Sequence, residues 1–286
     1  MCDETTENDN DAYLSRRGFA LLSAAGTLAA LLPGDAHAAE VKEQEVVVET
    51  PDGKADAYFV APEGKRSPAV VIWPDILGLR PSFRAMGQRL ASAGYAVLVM
   101  NPYYRAEKAP VVPEGASFRD PAIREKVLGL AKPLSAETTR RDIRAVVAFL
   151  DAHEAVDPSR GVGAAGYCMG GPMVLWSAAE VPGRIRAAAT FHGGGLVTTE
   201  ADSPHLGIPK MKAEALIAVA ANDDEREPET KTVLKQAFEA AGLSAEVEVY
   251  EGAMHGWCPP DSAVYDEALA ERAWGRLLAL YGRALS

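Results

Sequence analysis

The sequence predicts an α/β fold built on one mostly parallel sheet, and three observations carry that prediction. From about residue 39 onward, short apolar runs rich in β-branched residues alternate with stretches of helical periodicity. Two of these runs, Pro68–Trp73 and Tyr95–Met100, have no polar face, as expected of strands covered on both sides. The chain has 286 residues, 48% of them hydrophobic, which is ample for one large core.

Each element follows from its local pattern. Residues 45–50 and 55–62 alternate around Asp52-Gly53 and predict an antiparallel hairpin. Between the two apolar strands, Phe83, Met86, Leu90 and Ala91 recur at helical spacing. A long helix is expected from Ala136 to His153, with Ile143, Val146, Val147 and Leu150 on one side. Residues 161–166, 186–191 and 215–220 are further strands, the first followed by a helix after Cys168 and the last by a helix from Glu227 to Ala241. Residues 245–250 alternate cleanly, which suits a strand near an edge, and a final helix is expected from Ser262 to Leu280. Strands that alternate with helices are joined by right-handed crossovers, and chemistry in such sheets sits beyond the carboxyl ends of the strands.

The N-terminal residues 1–38 carry a different signal. Arg16 and Arg17 precede an apolar stretch from Gly18 to Leu32, and Ala36-His37-Ala38 has the small-x-small form of a cleavage site. Fifteen apolar residues are short for a spanning helix. The stretch resembles a twin-arginine export signal, which implies the export machinery as a partner, cleavage near Ala39 and a periplasmic or secreted protein with no stable membrane association. The acidic residues Asp3, Glu4, Glu7, Asp9 and Asp11 ahead of the arginines depart from a usual leader. The remaining residues, 39–286, form one domain. Net charge is −11 and no run of Lys or Arg is present, so no nucleic-acid partner is expected.

Of three cysteines, Cys2 belongs to the leader, leaving Cys168 and Cys258. Cys168 lies in Gly166-Tyr167-Cys168-Met169-Gly170-Gly171, at the end of one expected strand and the start of a helix. A strand-to-helix turn this tight needs glycine neighbours, stands its central side chain over the sheet and points the next N–H, that of Met169, into the same space. A helix N-terminus also lowers a thiol pKa and stabilises an oxyanion. In this architecture an acid and then a histidine follow the nucleophile along the chain. Asp223 and Asp224 end one strand, and His255 follows another. Counting from the strand at 215–220 favours Asp223, and counting back from Pro228 favours Asp224. His192 also follows a strand and is placed to line a pocket, whereas His153 ends a helix.

These stretches together resemble the dienelactone hydrolase family across residues 43–283. The resemblance implies an α/β-hydrolase fold of about eight strands with helices on both faces. It also implies a carboxymethylenebutenolidase-like ester or lactone hydrolase with a Cys168–His255–Asp223 triad, an acyl-thioester intermediate and no cofactor or metal. By position, Asp75 replaces a family Glu that contacts the nucleophile, and the Ile76 amide completes the oxyanion hole with that of Met169. Arg105 matches an arginine that binds the substrate carboxylate, with Tyr104 and Trp257 as further substrate-binding residues. The chain departs from the family twice. Asp75 is one methylene shorter than the expected Glu, and Gly256-Trp257-Cys258-Pro259-Pro260 lacks the family's second carboxylate-binding arginine. The substrate implied is therefore a small ester or lactone, not necessarily a dienelactone. A rival reading uses Cys168, His255 and Cys258 as ligands of a metal or redox protein, and a third is a non-catalytic binding protein on the same fold.

Overall fold

The computed structural model describes residues 4–20 and 40–286. Its sheet has eight strands in the order β1-β2-β4-β3-β5-β6-β7-β8. Strands β1 (Val41–Thr50) and β2 (Gly53–Pro62) form the hairpin, with Thr50 opposite Gly53 across its turn. The hairpin joins antiparallel to β4 (Ala96–Met100). From there β3 (Ala69–Trp73), β5 (Val162–Tyr167), β6 (Ile185–Phe191), β7 (Glu214–Ala220) and β8 (Ala245–Tyr250) run parallel, and β8 closes the edge.

Strand alternation feeds two cores. Val71 and Trp73 of β3 face one side, against Ile143, Val146 and Leu150 of α4 (Ala136–Ala152) and Val174 of α5 (Gly170–Glu180). Val70 and Ile72 face the other side, against Phe83 and Leu90 of α2 (Pro81–Ser92) and Leu277 and Tyr281 of α8 (Glu267–Ala284). Both faces of a parallel strand are thus dry, which is why its sequence shows no alternation. Helix α4 starts where Ser135 and Thr138 form a reciprocal cap.

Three local features differ from the sequence prediction. The helix expected over 227–241 is α7 (Thr230–Ala240), and a separate short helix, α6 (Ala221–Arg226), precedes it where none was expected. Pro228 disfavours helical geometry at the residue before it, and Glu227 leaves the helix at φ −128° and ψ 62°. The final helix begins at Glu267 rather than Ser262 because Asp266 caps it, accepting from the Leu269 N–H. Helix α3 (Pro121–Ala131) and a 3₁₀ segment (Pro204–Lys210) lie where no element was expected; α3 buries only Val127, too little for a helical stripe to register.

Of the segment read as a leader, residues 4–20 form helix α1 (Glu4–Ala20), and 21–39, with most of the apolar stretch, lie outside the described residues. Thr6 and Asn10 are buried where α1 packs on the domain. Among the described residues no helix is long and apolar enough to cross a membrane.

Candidate active site

The turn between β5 and α5 has the geometry its glycines predict. Cys168 sits at φ 52°, in the left-handed region that costs a non-glycine residue about 1–2 kcal/mol. Its N–H donates to the Phe191 carbonyl at 3.1 Å, and its carbonyl accepts from the Gly171 N–H at 2.9 Å. The flanking glycines are required by contact. A Cβ on Gly166 would stand 2.1 Å from the Gly170 carbonyl oxygen, and one on Gly170 would stand 2.1 Å from the Trp73 carbonyl oxygen. The packing that admits no methyl at these points holds the strained thiol in place.

His255 and Asp223 arrive from the neighbouring strand ends. Asp223, on the first turn of α6, places Oδ2 2.8 Å and Oδ1 3.0 Å from His255 Nδ1. Asn222 accepts the His255 backbone N–H at 2.8 Å, fixing the loop that carries the ring. Arg226 donates to Asp223 Oδ1 at 2.8 Å. Burial opposes charge on His255, but the Asp223 carboxylate and the Cys168 sulfur beside it outweigh burial and lift its pKa to about 10. Asp223 is lowered: burial opposes its ionisation too, and His255, with His192 and Arg226, overcomes it.

His192 completes an aromatic wall. It occupies φ 41°, and its ring lies 5.0 Å from that of His255 and 5.2 Å from that of Trp257. Burial, partly offset by the Cys168 sulfur it contacts, lowers its pKa, so this second imidazole is held neutral.

On the opposite side stands the loop after β3. Arg80 grips Asp75 through two hydrogen bonds of 2.6 and 2.9 Å and Asp261 through two of 2.6 and 2.9 Å. Asp75 also accepts the Leu77 N–H at 2.9 Å. Tyr103 donates to the Ile76 carbonyl at 2.7 Å and reaches Met169 Sδ at 3.4 Å, bracing the loop after β3 against the residue that follows the thiol. These elements enclose a cavity of about 270 Å³ lined by Cys168, His192, His255, Asp75, Ile76 and Arg119, among others.

The structure therefore brings Cys168, His255, Asp223, Asp75, Ile76 and Met169 together. It separates the two candidate acids, since Asp224 pairs with Lys231 at 2.7 Å and Asp223 faces His255. It takes Arg105 and Tyr104 elsewhere. Arg105 binds Asp52 at 2.6 Å and Asp142 at 2.6 and 2.9 Å, stacks over Tyr104, and is not among the cavity residues. Tyr104 hydrogen-bonds Asp142 and Thr50, both at 2.7 Å. Trp257 is fully buried behind His192, stacked on Tyr250. Cys258 lines a different cavity, with Met86, Tyr167, Phe191 and Trp274, so Cys168, His255 and Cys258 do not converge. Among the described residues no group of three His, Cys, Asp or Glu side chains is placed to hold a metal ion. Arg80, Tyr103, Arg119 and Asn222 were not singled out from the sequence. Arg80, five residues after Asp75 at the same strand end, is the one its position could have revealed.

This is the plan of the α/β-hydrolases, in which nucleophile, acid and histidine follow one another along the chain on the carboxyl edge of the sheet. Within that class the chain belongs to the dienelactone hydrolase family, whose model matches residues 55–285. It is 28% identical over 238 residues to a Salmonella typhi protein named "Putative carboxymethylenebutenolidase", covering 79% of this chain and 82% of that one. It is 27% identical over 190 residues to a carboxymethylenebutenolidase of a Pseudomonas species, covering 66% and 74% of the two chains. The crystal structure titled "Putative Dienelactone Hydrolase" from Klebsiella pneumoniae superposes with a TM-score of 0.73 at 23% identity, covering 85% of this chain and 99% of that one. The chain is a carboxymethylenebutenolidase-like hydrolase.

Proposed function

We propose that this hydrolase cleaves a small carboxylic ester or lactone through an acyl-thioester on Cys168. The observation that carries the reading is the thiol at φ 52° beside an imidazole whose other face is held by Asp223 at 2.8 Å. An imidazole with a pKa near 10 is protonated at neutral pH, held so against burial by the Asp223 carboxylate first and then by the Cys168 sulfur, and an imidazolium beside a thiol favours the thiolate. The thiolate attacks the carbonyl carbon, and the Ile76 and Met169 amides receive the oxyanion. The C–O bond then breaks, and the imidazolium gives its proton to the departing oxygen. The now neutral His255 takes a proton from water, whose hydroxide attacks the thioester and expels the Cys168 thiolate. The products are a carboxylic acid and an alcohol or enol, and thiolate and imidazolium are restored. Asp223 keeps Nδ1 protonated throughout. Asp75, gripped by Arg80, shapes the loop that presents the Ile76 amide.

The test is turnover of aryl esters, enol-lactones and saturated lactones by the wild type and by Cys168→Ala, with acid-quenched mass spectrometry for an adduct on Cys168. Hydrolysis that persists in Cys168→Ala refutes the route. The paired Arg16-Arg17 and the stretch after them support export to the periplasm. Cell fractionation of wild type against Arg16→Lys/Arg17→Lys tests this, the variant being retained inside the cell.

A further inference from the structure

The cavity that Cys258 lines lies between α2 and α8, on the sheet face opposite α4 and α5. Its volume is about 190 Å³, and Met86, Phe191, Trp274 and Leu277 give it apolar walls. Three of its residues are chain neighbours of the groups at the candidate active site: Tyr167 precedes Cys168, Phe191 precedes His192, and Cys258 follows His255 by three. Tyr167 is 3% exposed, stacked on Phe191 at 4.8 Å and edge-on to Phe83 at 5.4 Å, which fixes its ring. Among the described residues its hydroxyl has no hydrogen-bond partner. Burial, with Cys258 and Tyr281 nearby, pushes its pKa well up, and Arg89 opposes this only in part, so the hydroxyl is a neutral donor. Cys258 and Arg89, which act on this hydroxyl, line the cavity too, so the donor faces its space. Arg89, half-exposed, is already held by Glu271 at 2.5 and 2.7 Å and lies over Trp274 at 4.1 Å. It leaves no call for an anion.

We propose that this cavity is a second binding site, for a small uncharged aromatic molecule that carries one hydrogen-bond acceptor, a phenyl ketone being the type. The acceptor sits on the Tyr167 hydroxyl, and the ring lies between Met86, Trp274 and Leu277. The size fits: an apolar cavity of about 150 Å³ takes benzene, so about 190 Å³ takes one ring with a carbonyl and a methyl group. The apolar walls favour the ring through the area they remove from water. The hydroxyl decides which ring is preferred, because an acceptor satisfies a buried donor and a hydrocarbon leaves it unmet. A carboxylate would be buried there with no cation of its own, which rules out acids. The inference stands on this cavity alone and is independent of the hydrolase reading.

The test is an NMR titration of the full chain with acetophenone and with ethylbenzene, which has the same carbon skeleton without the oxygen. Acetophenone binds roughly three- to tenfold tighter, the range that one neutral hydrogen bond supplies, and benzoate does not displace it. Tyr167→Phe keeps the ring stack and removes the donor. It binds the two molecules equally and unfolds at no lower a temperature than wild type, since no partner within the fold is lost. Ala270→Leu and Ala273→Leu each fill the cavity from α8 and weaken both ligands at least tenfold. Iodoacetamide labelling of Cys258 needs no variant: saturating acetophenone slows it at least tenfold and leaves labelling of Cys168 unchanged. Absence of binding by either molecule overturns the site, and so does acetophenone binding that both leucines leave intact or that protects Cys168 instead. Equal wild-type affinities for the two molecules overturn the role given to Tyr167 and with it the class of ligand.

Discussion

Cys168 and Cys258 are both buried thiols, each lining its own cavity, and they differ in what decides reactivity. Cys258 is 8% exposed in an apolar cavity, and burial alone pushes its pKa well up, which keeps it a neutral thiol. Cys168 is 1% exposed, yet it touches two imidazoles and heads α5, whose N-cap has no side-chain hydrogen bond of its own. Burial without charge makes an inert packing group. Burial beside an imidazolium and a helix N-terminus favours the thiolate.

The largest effect that sharpens this contrast is loss of the thiol itself. Cys168→Ala is expected to reduce kcat/KM by about 10⁴-fold or more with the thermal midpoint little changed, and Cys168→Ser to recover little, because a site set for thiolate does not deprotonate a hydroxyl. Cys258→Ala in the same assay stays within about threefold of wild type. Comparable losses at the two positions break the comparison.

The next effect separates the adjacent acids. Asp223→Asn is expected to lower kcat by about 10²–10⁴-fold, since an amide cannot hold the imidazolium that the thiolate needs. Asp224→Asn removes only the Lys231 pair and leaves kcat within about threefold.

Alkylation by iodoacetamide reads the charge state of each sulfur directly. The folded pKa of His255 is raised from 6.5 to about 10, so its paired charge stabilises the fold fully below about pH 6.5 and is lost as pH rises through 10. Asp223 is lowered, so its contribution is present above its ordinary value of 3.8 and is lost as pH falls below it. Cys168 should therefore label at neutral pH at least tenfold faster than Cys258, with little change between pH 6 and 8. Wild-type stability should fall as pH approaches 10, and His255→Gln should flatten that fall. Equal labelling rates, or a steep rise in Cys168 labelling across pH 7–9, would mean that no thiolate–imidazolium pair exists.

The smallest expected effect is at the packing thiol. Cys258→Ser places a hydroxyl in an apolar cavity and costs about 1–3 kcal/mol of stability, measured by urea unfolding, with kcat unchanged. A loss of activity larger than the loss of folded protein would give Cys258 a role in the reaction.

The strands and the tight turn at Cys168 were legible because both are local. A strand dry on two faces writes itself as a continuous apolar run, and a turn that excludes every Cβ writes itself as glycine. Asp223 and His255 were legible at one remove, through their places at strand ends and their order in the chain. Arg105 was not. The residues that claim it, Asp52 in the hairpin turn and Asp142 on α4, lie 53 and 37 positions away, and nothing near Arg105 announces them. Arg119 was hidden for the same reason, since its partners Glu7 and Asp11 lie in a segment read as separate from the domain. Pair interactions across long sequence separations settle which of several similar cations faces the cavity, and one sequence does not record them.

The contact between Gly170 and Trp73 has a consequence for how this enzyme can change. The two amides proposed to receive the oxyanion stand on either side of that contact, one on the residue before Gly170, the other three residues past Trp73. No side chain separates the two backbones, because any Cβ would lie 2.1 Å from oxygen. A gap filled by side chains can be tuned in either direction, by trimming a methylene here or adding one there. A gap set by bare backbone works as a fixed gauge, which substitution can force open and cannot narrow. The loops at 115–119 and 261–264 supply much of the remaining cavity wall, and side chains there can vary without moving that gauge.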